Sequence, residues 1–188
     1  MGDPAAAANA LQWSVTAMGE VAGRLAEVTV WDRPRAFAAI GEAVWWVTIV
    51  DATLVRHHPA VYDTVLAGRG GPGRQVVEVT LSGLRFVRNR IAREVDAGEL
   101  VEPGVAGRDG RGVTGWRWRP EPGPALGWLP ARGRAWEMAR YRAYQARLAG
   151  HTIGETFGWA APFLMQAAMS ATSITDASPQ AQPSWSGS

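Results

Sequence analysis

The sequence predicts an all-α protein: a bundle of four to five long helices carrying one irregular insertion. Three observations predict it. Apolar residues recur at three- and four-residue steps along several long stretches, the period of a helix with one buried face. Helix start and stop signals separate those stretches, at Asp32-Arg33-Pro34, His58-Pro59 and Gly150. Glycine and proline instead crowd into residues 98–130, with 8 glycines and 5 prolines in 33 residues, too many for a regular helix. A chain of 188 residues that is 47% hydrophobic can bury one core. Residues 1–171 therefore read as a single helical domain, and 172–188, rich in Ser, Pro and Gln, as a flexible tail.

Residues 10–30 read as the first helix, with Leu11, Val15, Met18, Ala22, Leu25 and Val28 on its apolar side. Asp32 is a good N-cap for a second helix over 33–57, and Pro34 is tolerated in the first turn. Phe37, Ile40, Val44, Val47 and Val55 define its stripe, and Asp51 falls on the same side. The adjacent Trp45 and Trp46 must point apart, one to the core and one to a candidate subunit interface. Pro59 stops this helix at His57-His58, which read as C-terminal capping groups or as an imidazole within reach of an arginine site. A short helix over 60–67 precedes the loop Gly68–Gly73, which lacks a phosphate-cradle pattern.

The central helix spans 75–97. Val77, Leu81, Leu84, Ile91 and Val95 share an arc of about 80°, and Arg88 falls inside it. Two neighbouring helices thus each place one charge, Asp51 and Arg88, on a face that should be buried. Pairing them is the cheapest solution, because a buried charge without a partner costs several kcal/mol. The pair reads equally as a plain salt bridge or as a carboxylate that orients Arg88 toward a phosphate. Arg85, Asn89 and Arg93 lie along one side of the same helix, flanking that stripe.

Within the insertion, Thr114 to Arg119 alternate, with Trp116 and Trp118 on one face and Arg117 and Arg119 on the other. This reads as a small β-hairpin turned by Pro120–Gly123 and returning over Ala125–Leu129. Interleaved Trp and Arg could grip single-stranded RNA; they could equally pin a long loop to the helices. Residues 131–149 return to helix, locally basic, with Glu137 the lone acid among five arginines. Thr152 and Glu155 form a capping box for a last helix whose Pro162 should kink it.

Composition excludes some chemistries. With no cysteine there is no disulfide, thiol catalysis or cysteine zinc site. Three scattered histidines make no metal site, and no cofactor is expected. A formal charge of +2 does not argue for nucleic acid, so any such binding must come from local patches. All 19 basic residues are arginine, which suits bidentate phosphate contacts and equally fits a GC-rich genome. The N-terminus lacks a secretory pattern and the run Ala43–Val50 is too short to span a bilayer, so a cytoplasmic protein without membrane contact is expected.

The segment Arg88-Asn89-Arg90-Ile91-Ala92-Arg93 resembles the motif of the HEPN superfamily, in which an arginine and a polar residue, often asparagine, are followed by a histidine. Arg88 and Asn89 match the first two positions; Arg93 stands where the histidine would be. The resemblance covers about residues 33–97. It implies a homodimeric, metal-independent endoribonuclease of toxin–antitoxin or phage-defence systems. RNA and an antitoxin or defence protein would be its partners. Its chemistry would be attack of an RNA 2′-hydroxyl on the adjacent phosphate. Arg88 would stabilise phosphorane charge, Asn89 would position the groups, Asp51 would orient the arginine, and Arg85, Arg90, Arg117 and Arg119 would bind RNA. Arg93 cannot act as a base, since guanidinium stays protonated. Weak or absent cleavage with RNA binding retained is therefore expected. The alternative is a non-catalytic dimeric helical interaction module.

Overall fold

The computed structural model describes residues 4–27, 32–93, 99–104, 115–120 and 129–177, with the side chains of 4–8, 93 and 174–177 left aside. It is an all-α bundle with a two-stranded accessory sheet. The elements are α1 (Pro4–Glu27), α2 (Arg33–His57), α3 (Pro59–Ala67), α4 (Gly70–Arg93), β1 (Val101–Pro103), β2 (Trp116–Trp118), α5 (Ala131–Arg147) and α6 (Ile153–Ala177). α2 and α4 form the centre. α2 packs on α1, α4 and α6, and α4 packs on α2, α5 and α6. The short α3 closes one end against α6.

Local chemistry explains the helix boundaries. The Asp32 carboxylate accepts the Arg35 amide at 3.2 Å, with proline in the first turn of α2. At α6 the capping box closes from both sides: the Glu155 carboxylate accepts the Thr152 amide at 2.8 Å, and the Thr152 hydroxyl accepts the Glu155 amide at 3.2 Å. α1 starts earlier than its periodicity indicates, because Pro4 and an alanine run support helix ahead of Leu11. α4 also starts early. The expected loop at 68–73 is largely helix: Gly70, at φ +67°, makes the reversal after α3, and Pro72 sits in a first turn whose amides need no helical partner. α6 continues through the expected boundary at 171 to Ala177, and 178–188 lie outside the described residues.

On α2 the buried steps run Val44, Val47, Asp51, Leu54, while Val55 is 46% exposed and leaves the stripe to which its spacing assigned it. Eighteen residues of α2 reach a mean hydropathy of 1.5, enough by length and composition to cross a bilayer, and half of that window is buried inside the bundle. On α4 the buried face is far wider than five residues. Phe86, Val87, Gly83 and Thr80 are buried beside Val77, Leu81 and Leu84, an arc of roughly 220°. α5 covers the added flank, where Phe86 meets Tyr144 with ring centroids 5.2 Å apart.

The insertion does form a sheet, with a different partner strand. β2 pairs antiparallel with β1, Val101 opposite Trp118 and Pro103 opposite Trp116. The strand therefore pairs with residues that precede it, while the expected return over 125–129 lies mostly outside the described residues. The alternation holds: Trp116 and Trp118 are buried and Arg117 and Arg119 are not. Trp118 donates its indole N–H to the Thr156 hydroxyl at 2.9 Å, and Trp116 meets Phe37 edge-on at 5.4 Å. These tryptophans fasten the hairpin to α6 and α2, so their rings are not available to stack on bases.

α4 and α5 approach closely at Gly83. A Cβ there would stand 2.7 Å from Leu148 Cδ1 and 3.2 Å from Tyr144 Cα. At Gly158, in α6, a Cβ would meet nothing within 4 Å. Gly158→Ala should therefore raise stability by about 1 kcal/mol through helix propensity. Gly83→Ala should lower it, since overpacking of about 1–3 kcal/mol against a neighbouring backbone outweighs the same gain. Urea melts of both variants should move in opposite directions.

Candidate functional site

Asp51 is wholly buried on α2, so its carboxylate must be answered from within the bundle. Arg85 answers it, not Arg88. Arg85 Nε donates to Asp51 Oδ2 at 2.8 Å, and Arg85 Nη2 donates to the same oxygen. The other oxygen, Oδ1, accepts the Tyr62 hydroxyl at 3.0 Å. One carboxylate therefore ties α2, α3 and α4 together. One edge of the α4 buried face is Leu81. Arg85 lies at its rim, next beyond Leu81, where the stem can cover apolar surface and the side chain as a whole keeps 35% exposure. Arg88, expected in the seam beside Asp51, is half-buried and makes no hydrogen bond or ion pair among the described residues.

The next residue on α4 is also engaged. Asn89 donates from Nδ2 to Glu137 Oε2 at 2.9 Å, and Arg140 stands 3.4 Å from that oxygen. Glu137 is 5% exposed. The lone acid of a basic helix is thus an internal anchor between α4 and α5. Its isolation among arginines was the readable clue; its target was not. Tyr62 carried no such clue, because the short α3 shows too little pattern to say which side is covered.

The expected site residues separate into groups. Arg85 and Asp51 form one internal pair, and Asn89 and Glu137 another. Arg90 is half-buried and engaged. Arg119 lies 3.5 Å from Glu102 across the hairpin, and Arg117 has its Nε buried without a hydrogen-bond partner. Arg117 lies in β2, Arg119 directly follows it and α4 carries the others, so the expected RNA-binding set is not one cluster of contacts. The side chain of Arg93 lies outside the described residues. His58, expected as a cap or an approaching imidazole, has a lowered pKa from burial and then from His57 beside it, and its Nε2 has no partner.

A separate cleft of about 680 Å³ opens between α1, α2, α6 and the hairpin, lined by Leu25, Ile40, Trp116, Ile153, Phe157 and Met165 among others. Its walls are apolar; its Thr152 hydroxyl is already used in the α6 cap. No three His, Asp or Glu side chains gather as a metal-binding group among the described residues. No family model matches the chain, and no curated protein or solved structure does either.

Burial, followed by the Asp51 charge, pushes the Tyr62 phenol well above its ordinary value of 10.0. The unfolded chain ionises that phenol above about pH 10 while the folded one keeps it neutral, so unfolding then releases a proton. The stability Tyr62 contributes is full below that pH and is lost as pH rises above it. Urea melts from about pH 8 to about pH 11 should show this alkaline decline, and Tyr62→Phe should flatten it. The same variant should lose about 1.5–3 kcal/mol at neutral pH, the worth of a hydrogen bond to a charged group.

Proposed function

We propose that this chain is a HEPN-like RNA-binding protein of a toxin–antitoxin or phage-defence system, cytoplasmic, with little or no RNA cleavage of its own. The observation that supports the reading is the state of Arg88. It is half-buried on α4 with no hydrogen bond or ion pair among the described residues, while Arg85 and Asn89 beside it are held by carboxylates. A guanidinium on a rigid helix, kept from competing internal acids, suits a phosphate. Asn89 is held by Glu137, which fixes the helix that carries Arg88. In this reading Arg85 and Asp51 set the position of α4 and do not touch RNA. Arg93 supplies positive charge and no proton transfer.

The second reading, a non-catalytic helical interaction module, has its own support. The groups that a phosphate site would draw on, Arg85 and Asn89, are already spent on internal carboxylates. A fluorescent single-stranded RNA titrated across salt concentration separates the two. The first reading expects binding that weakens with salt. It also expects Arg88→Ala to reduce affinity and to lower the salt slope by about 0.7 for the one lost phosphate contact. No RNA affinity in the folded chain would favour the second reading. Arg93→His should restore cleavage of a bound RNA; a folded, RNA-binding variant that remains inert would remove the nuclease ancestry from the proposal.

A further inference from the structure

We propose that the cleft between α1, α2, α6 and the hairpin binds a neutral, elongated apolar molecule carrying one hydrogen-bond acceptor, the chemistry of a long-chain acyl ester or amide. The cleft holds about 680 Å³, within the range of pockets that enclose small molecules. A second lobe of about 240 Å³ adjoins it and reaches Met18 and Val47. Leu25, Phe157 and Met165 line both lobes, so the two run together as one slot. The slot follows α6 from Thr152 to Met165, about 20 Å at the helical rise. Glycines keep it open: a Cβ at Gly154 or Gly158, both in its wall, would meet nothing within 4 Å. Met165 adds an unbranched side chain that can adjust to the outline of a ligand.

Charge and hydrogen bonding select the occupant. No charged side chain lines either lobe among the described residues. An ion buried there would lack a partner, at a cost of several kcal/mol, so the ligand is neutral. Two polar side chains stand in the wall, Thr152 and Trp116. The Thr152 hydroxyl is spent on the Glu155 carboxylate and amide. Glu155 also sets a negative charge at the positive end of α6, which removes the attraction of that helix end for an anion. Trp116 differs: it is 6% exposed, and its indole Nε1 is buried without a hydrogen-bond partner among the described residues. A buried donor left unpaired costs about 1–3 kcal/mol. Trp118, on the same strand, gives its own indole N–H to Thr156, so the hairpin satisfies one tryptophan and leaves the other wanting an acceptor. An oxygen of the ligand supplies it at the hairpin end of the slot, with the apolar chain running toward Met18. Arg88, Arg85 and Asn89 do not line the cleft, so this site is independent of the RNA-binding reading.

Nile red, a neutral apolar dye with a carbonyl group, tests the cleft when titrated into the full chain. Its fluorescence should rise on binding. Methyl decanoate should reverse the rise, and decanoate, the same chain bearing a charge, should do so at least tenfold less well. Gly158→Leu should fill the slot and cut dye affinity tenfold or more while folding normally, since leucine is the better helix former. Gly71→Leu, on α4 and outside the cleft, should leave binding unchanged. Trp116→Phe keeps an aromatic wall and removes the N–H. It should weaken methyl decanoate about fivefold, the worth of one hydrogen bond, and leave naphthalene, which has no acceptor, unaffected. A folded full chain that does not bind the dye overturns the proposal, as does binding that survives Gly158→Leu. Equal affinity for decanoate overturns it too, as does an equal loss of ester and naphthalene in Trp116→Phe. Binding that appears only on truncation to residues 1–177 also overturns it, because the C-terminal segment would then be the occupant.

Discussion

A carboxylate with no access to water organises this bundle. Asp51 occupies a position on α2 that the helical period reserves for an apolar side chain, so the fold must supply donors to it. It receives them from two other helices, Tyr62 on α3 and Arg85 on α4. Apolar stripes permit helices to slide and rotate against one another with modest loss. A buried ion does not, because each donor must reach one atom within a few tenths of an ångström. The relative placement of α2, α3 and α4 follows from that demand. A second carboxylate, Glu137, does the same between α4 and α5 through Asn89.

The two anchors fix α4 along its length and decide what its surface can offer. Arg85 and Asn89, four residues apart, turn inward to their acids. Arg88 falls between them in sequence, with neither acid as its partner. The tryptophans of the insertion serve the architecture too. Trp118 is sealed against Tyr144 and bonded to Thr156, and its strand carries the arginines on the opposite side. Aromatic weight in the hairpin is thus holding energy, and any contact that strand makes with an anion falls to Arg117 and Arg119.

The sequence shows much of the fold and less of the site, for physical reasons. Helix identity follows from local rules: capping at Asp32 and Thr152, proline after His58, and three- and four-residue steps. Burial of Asp51 was readable from its place four residues after Val47, although Val55, which the spacing put on the same stripe, is exposed. Its partner was not readable, since the stripe on α4 gave only the flank against α2. Phe86 and Val87, adjacent in sequence and both fully buried, reveal a helix covered on two sides. The strand partner of Trp116–Trp118 was hidden for a similar reason. Pairing register is a tertiary choice, and Val101–Pro103 alone is too short to announce a strand.

The claim that Asp51 is answered by Arg85 can be measured directly by a double-mutant cycle on unfolding free energy. The cycle Asp51→Ala with Arg85→Ala should give a coupling of at least about 1.5 kcal/mol, within the range found for residues sharing one ion-pair network. The parallel cycle with Arg88→Ala should give a coupling below about 0.5 kcal/mol, as for side chains with no shared partner. The reverse ranking, strong coupling to Arg88 and none to Arg85, would contradict the account.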